Sequence, residues 1–470
     1  MTIAIVVGSG PNGLAAATVL ARQGVEVTVI EANEMLGGGA RSGESPTPGL
    51  LQDHCAAVHP MAPGSPFFQS LNLTKMGIEW EYAPLDAAHP LDGQPAALLH
   101  TRMEDTVAGL GVDGARWKSM FDIKHQSFSK LVRMMMSPIM RIPRHPLLLA
   151  RFGLVAGPPP SRVVRKFKTE SARALFMGVA AHAMQPLNKP LVTGIGAGII
   201  TAGHQVGWPV VKGGTGKLTQ AHIESLRAMG VKFVTGQKIT NFEQLPPHDI
   251  AMLDVHPHVA AQILRDQQPK RFQKAFTSFK PGPGIFKVDF AVSEGIPWSD
   301  PEVGRAGSVH LGGSAKEIMR TEKAVASGKM PKRPFVLVGQ QYLADPQRVK
   351  NGIVPIYAYA HVPNGYQGDA TDQIIAQIER FAPGFKDRIV AMRSRTPQES
   401  EEDNPNFIGG DVLTGAKSPL QFMFGPKIGA HPYDTGVPHV YICSAATPPG
   451  PGIHGMSGYN AATRALKKLK

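Results

Sequence analysis

The chain has two cysteines in 470 residues, Cys55 and Cys443, which exclude a disulfide scaffold, a cysteine-rich zinc site and any CxxC redox couple. No run of about 18 uncharged apolar residues occurs, so no integral membrane protein is expected. The opening Met1-Thr2-Ile3-Ala4-Ile5-Val6-Val7 lacks a basic n-region, so it does not read as a secretory leader, and a cytoplasmic, reducing setting is expected. The 17 histidines show no HExxH-type spacing, and no P-loop or Ser-His-Asp order stands out; no metal is expected. Hydrophobic residues at 42% and charged residues at 18% are those of an ordinary globular chain, long enough for two or three domains.

Acids are also missing from Lys124 to Lys168, where ten Lys or Arg supply most of the net charge of +13. Within it Phe128, Leu131, Val132, Met135, Met136 and Ile139 recur at helical spacing, with Lys130, Arg133 and Arg141 largely opposite. Pro138, Pro143 and Pro146 end or kink such a helix early. The segment reads as a helical lid with a solvated basic face, as a docking surface for an anionic membrane, or as a receiver of an anionic substrate. No nucleic-acid motif accompanies the charge, so nucleic acid is not an expected partner.

What is present begins at the N-terminus. Thr2 to Val7 reads as a buried parallel strand, Gly8-Ser9-Gly10-Pro11-Asn12-Gly13 as a glycine turn, and Leu14 to Gln23 as a helix. A second strand, Val25 to Ile30, closes on Glu31, an acid 23 residues after Gly8. Gly8 allows the tight turn, Gly10 lets a diphosphate approach the backbone, and Gly13 lets helix and strand pack. The helix N-terminus offers free N–H groups to that diphosphate, and Glu31 accepts the ribose hydroxyls. Six residues later comes Gly37-Gly38-Gly39-Ala40-Arg41-Ser42. An acid followed by a diglycine and an arginine resembles the extended fingerprint of FAD-binding flavoproteins, which favours FAD over NAD. Gly8, Ser9, Gly10, Pro11, Asn12, Gly13, Glu31, Gly38, Gly39 and Arg41 are the candidate cofactor residues here.

At the other end, His439 to Cys443 reads as a strand running into a Pro/Gly loop that ends at Gly452-Ile453-His454-Gly455. A helix from Met456 to about Leu469 follows, and its N-terminus again faces its N–H groups towards a developing negative charge. The two ends together resemble the phytoene desaturase-like branch of the flavin amine oxidase superfamily. Within it the chain is similar to the pyridine nucleotide-disulfide oxidoreductase domain-containing protein 2 group. Gly207 to Gly214, Gly230 to Ile239, Asp249 to Pro257 and Asp53 to Pro60 extend the match. The resemblance implies FAD contacts at Ile239, Gly452 and Ile453, and puts His454 where the family loop meets the flavin, as a proton carrier or a substrate-orienting group. His59 follows the loop running towards the flavin ring. The chain departs from the pattern at Gly39, where amine oxidases usually carry Arg, and at Cys443-Ser444, where relatives often have a glycine pair.

An α/β fold is therefore expected: a discontinuous Rossmann-type FAD-binding domain at 1–85, 205–275 and 420–470, a helical insertion at 86–204, and a mixed-sheet substrate domain at 276–419. Strands are expected at Gly284–Val292, Phe335–Tyr342 and Ile353–His361, with a helix from Thr371 to Phe381. Tyr357 and Tyr359 share a strand face with His361 and are candidate cavity-lining residues. The leading functional expectation is an FAD-dependent dehydrogenase or desaturase acting on a lipophilic small molecule, reoxidised by O2 or a quinone. A C–N oxidase of the amine oxidase type, a redox-neutral isomerase and a flavin-binding scaffold without turnover are the alternatives.

Overall fold

The computed structural model describes residues 1–138 and 143–469. Ile139, Met140 and Arg141 of the basic segment lie outside them. Among the described residues, twelve strands make up the two larger sheets. In the first third of the chain they are β1 (Ile3–Val7), β2 (Glu26–Ile30), β3 (Leu85–Leu91) and β4 (Gln94–Leu99). The middle supplies β5 (Lys232–Val234), β6 (Ile250–Leu253), β7 (Gly284–Ser293) and β8 (Ala306–Leu311). The remainder supplies β9 (Val336–Gly339), β10 (Ile353–Val362), β11 (Ile389–Arg395) and β12 (Val440–Ile442).

Short β-branched runs such as Ile3–Val7, buried on both faces, form a parallel sheet in the order β12-β6-β1-β2-β5. Val7 at the end of β1 is flanked in register by Ile30 and Leu253, so three strand ends open at one edge. Helix α1 (Pro11–Ala21) leaves that edge. The small residues Ala15, Ala16 and Ala17 are fully buried, and α1 packs along the C-terminal helix. Open parallel sheets place ligands at this edge.

The second sheet is mixed, in the order β11-β7-β10-β9-β8-β3-β4. All its pairings are antiparallel except β8 with β3. The strands at 284–293, 336–339 and 353–362 fall where the sequence indicates. Residues 86–99 do not: they were expected inside the helical insertion, yet they form β3 and β4 and complete this sheet. Leu85–Leu91 is LDAAHPL, a run without β-branched residues and with Pro90 inside it, so its sequence signal is weak. Burial of all seven residues overrides that signal, and the ladder shifts register between His89 and Leu91, around the proline. The helical layer includes α2 (His125–Met135), α3 (Pro146–Ala156), α4 (Glu170–Ala180) and α5 (Val192–Val206). Helix α6 (Thr215–Ala228) and the C-terminal α7 (Met456–Leu469) flank the parallel sheet.

Candidate active site

The glycine turn after β1 is shaped by what it touches. Gly8 has φ +98°, and a Cβ there would lie 2.7 Å from the Asp254 carbonyl oxygen. A Cβ on Gly10 would lie 2.7 Å from the Asp254 carboxylate, and one on Gly38 3.0 Å from the Cα of Gly10. The two glycine loops therefore meet as bare backbone. Pro11 opens α1 at its first position, where a missing N–H costs nothing, and the first-turn amides have no intrahelical partner. This is a cradle for an anion.

Glu31 stands beside it at the end of β2, buried. One carboxylate oxygen accepts the Ser9 N–H at 2.9 Å and the Ser9 hydroxyl at 2.6 Å; the other accepts the Asn33 N–H at 3.0 Å. A carboxylate has about four acceptor sites, so one remains for a ribose hydroxyl. At the far side the loop Pro449 to His454 reaches the same space just before α7. One continuous cavity of about 480 Å³ joins the two helix N-termini. Its walls hold Gly8, Ser9, Gly10, Pro11, Asn12, Glu31, Gly38, Gly39, Ile239, Gly452, Ile453 and His454, all expected as cofactor or flavin-side residues. Bare glycine backbone, a helix N-terminus and an acid with a spare lone pair fit a dinucleotide.

Two expected cofactor residues lie elsewhere. Arg41 does not line the cavity: its Nε donates to the Gly38 carbonyl at 2.6 Å and an Nη to Asp403 at 2.6 Å. It pins the diglycine loop instead of offering its charge to a ligand. Gly13 is also off the wall, because a Cβ there would sit 2.1 Å from the Gly8 carbonyl oxygen, and its N–H donates to Asp254 at 2.8 Å. Asp254 itself was not singled out from the sequence. Burial, with Glu31 adding repulsion, pushes its carboxyl up to about 7.

The histidines expected near the flavin are held as neutral rings. His454 Nδ1 accepts the Met456 N–H at 3.0 Å, and burial lowers it to about 4. Its Nε2 therefore carries the hydrogen, and the ring both starts α7 and donates. His59 lines the cavity with its Nε2 2.9 Å from Thr215 Oγ1. That hydroxyl already donates to the Ala56 carbonyl at 2.7 Å, so His59 is the donor; burial lowers it to about 4.

The rest of the wall comes from the helical layer and the mixed sheet. Tyr357 and Tyr359 line it with rings nearly parallel, centres 6.5 Å apart, while His361 stacks on Tyr359 off the wall and makes a 2.8 Å contact with Glu322. Burial pushes both phenols up, so they stay protonated. Met135 and Met136 of the basic segment, Ile195 and Ile199 of α5, Leu337 and Trp208 make the wall apolar, and His182 interrupts it. Of these, the methionines lie in the basic segment and Trp208 in the Gly207–Gly214 stretch that extends the family match. The others come from segments whose local patterns read simply as core.

The NAD(P)-binding Rossmann-like domain family matches residues 6–72, the glycine turn and both loops beyond it. The pyridine nucleotide-disulfide oxidoreductase domain-containing protein 2 of Rattus norvegicus is 23% identical over 552 aligned residues, covering 99% of this chain and 94% of that protein. Among solved structures, an oxidoreductase from Methanosarcina mazei superposes with a TM-score of 0.66 at 15% identity, covering 99% of this chain and all of that one. Cyclohexylamine oxidase from Brevibacterium oxydans superposes with a TM-score of 0.57 at 13% identity, covering 100% and 99%. The chain aligns with the rat protein over 94% of that protein's length, and it shares its α/β architecture with the Methanosarcina mazei oxidoreductase and cyclohexylamine oxidase.

Proposed function

We propose that the chain is an FAD-dependent oxidoreductase that removes two hydrogens from a lipophilic small molecule and is reoxidised by O2 or a quinone. The observation carrying this reading is the single cavity of about 480 Å³ with a glycine cradle at one end and an apolar wall at the other. When bound, the flavin supplies the hydride acceptor. The chain supplies the rest. The α1 N-terminus and the Gly10–Gly38 contact receive the diphosphate, and Glu31 receives a ribose hydroxyl. Met135, Met136, Ile195 and Ile199 exclude water from the reacting end. His454 offers an Nε2–H beside the α7 N-terminus, where negative charge on a reduced ring is best tolerated.

Carbon–nitrogen oxidation is the second reading, favoured by the parallel Tyr357 and Tyr359 rings on the wall. Anaerobic mixing with lipophilic amines, alcohols and polyenes tests both. Bleaching of the flavin by one class supports turnover, and bleaching by amines followed by a peroxide burst when air is admitted favours the second reading. No bleaching by any class in a flavin-loaded protein contradicts both.

The basic segment supports a further part of this reading. Leu147 and Leu154 of α3 are 86% and 75% exposed, seven residues apart on one helix. Arg144 and Arg151 flank them, α3 packs on α5, and α5 lines the cavity. We propose that this face rests on an anionic membrane and receives the substrate from it. Among the described residues no helix is long and apolar enough to cross a membrane.

A further inference from the structure

His182 is a cavity-wall imidazole that the reading above leaves unused. It follows α4 and meets the edge of Trp208 at 5.8 Å between ring centres. Its Nε2 lies 2.9 Å from Nε2 of His310, a fully buried residue of β8. Strands β3 and β8 run parallel with Ala88 beside Val309, which brings His89 beside His310, ring centres 6.4 Å apart. The Nδ1 atoms of His89 and His310 are both buried without a hydrogen-bond partner, and they converge on Gly178 of α4. A Cβ on Gly178 would lie 2.7 Å from one and 3.1 Å from the other.

The hydrogens of such a chain are set from its closed end. His89 Nε2 lies 2.7 Å from the Gly313 carbonyl oxygen, which can only accept, so His89 carries its hydrogen on Nε2 and its Nδ1 is a bare lone pair. A second bare lone pair on His310 Nδ1, facing the same spot, would be repelled, whereas a hydrogen there is attracted. His310 therefore carries its hydrogen on Nδ1 and accepts at Nε2, and His182 must donate from its own Nε2. What reaches the cavity is the bare Nδ1 of His182. Burial keeps the chain uncharged: it lowers His89 to about 4 and His182 to about 3, and takes His310 well below the usual range.

We propose that His182 Nδ1 is the substrate anchor of this cavity, a fixed hydrogen-bond acceptor for the O–H or N–H of an otherwise lipophilic alcohol or un-ionised amine. The inference rests on the oxidoreductase reading for the word substrate, and on the imidazole chain for the acceptor. His310, His89 and Gly178 are positioning residues that act through His182. One such hydrogen bond in an apolar site is worth roughly tenfold in affinity.

Nitrogen-15 NMR of histidine-labelled protein tests it, with signals assigned through His182→Gln and His310→Gln and folding checked by thermal unfolding. Hydrogens on Nε2 of His182 and Nδ1 of His310 are expected. Dodecan-1-ol should shift the His182 Nδ1 signal and bind roughly tenfold tighter than 1-methoxydodecane, a difference that His182→Phe should abolish. A hydrogen on His182 Nδ1, or equal binding of alcohol and ether by the native protein, overturns the proposal. Flavin content is measured on the same sample. A flavin-free protein with the expected tautomers would contradict the oxidoreductase reading and leave the acceptor standing.

Discussion

Asp254 shows how one residue can set the pH range of the cradle. Its carboxyl is pushed up to about 7, against an unfolded value near 3.8, so the folded state binds a proton that the unfolded state releases. Its contribution is fully present below about pH 4 and is lost as pH rises through 7. Asp254→Asn keeps an acceptor for the Gly13 N–H and removes this loss. The Asn variant should therefore gain roughly 2–3 kcal/mol relative to the native chain between pH 5 and pH 8, read from paired urea melts. A pH-independent difference would contradict the assignment. The cradle glycines were legible because strand, turn and acid lie within a few tens of residues and each has a local reason. Arg41 was misplaced for the opposite reason, because its partner Asp403 lies 362 positions away.

At the scale of elements, the helical spacing of Phe128, Leu131, Val132, Met135 and Met136 was readable: α2 buries Phe128, Leu131 and Val132, and its C-terminal end brings Met135 and Met136 to the cavity wall. Helix α3 was not readable as an exposed helix, since Leu147-Leu148-Leu149 resembles core. Its exposure makes a sharp prediction. Leu147→Ser with Leu154→Ser, or Arg144→Gln with Arg151→Gln, should each reduce cosedimentation with phosphatidylserine vesicles several-fold, with the charge variant the more salt-sensitive. Unchanged cosedimentation, or none by the native chain, contradicts the membrane proposal. Strands β3 and β4 were lost for want of β-branched residues, which pattern reading needs and burial does not.

At the scale of the whole molecule, a buried ionic cluster ties the turn before β10 to the segments at 42–53 and 213–215. Arg348 is fully buried, 2.7 Å from Asp53 and 3.2 Å from Asp345. Asp53 also accepts from Ser42 and the Thr215 N–H, and Asp345 from the Gly213 N–H. Burial alone would raise the Asp53 carboxyl, but Arg348 and these hydrogen bonds hold it below the usual range. The cluster fixes Thr215, which in turn holds His59 on the cavity wall. Arg348→Met leaves two buried carboxylates without their cation and should cost about 3–5 kcal/mol in chemical unfolding. A loss under 1 kcal/mol would show that these segments are held otherwise.

The site as a whole is assembled from many separated stretches between Val7 and His454, so its ends were legible and most of its walls were not. Heat release of bound nucleotide from the purified native protein, identified by mass spectrometry and counted per chain, tests the cofactor at the centre of this reading. One FAD per chain is the predicted result. An NAD(P) nucleotide in its place, or no nucleotide and no uptake on incubation with FAD, would contradict it.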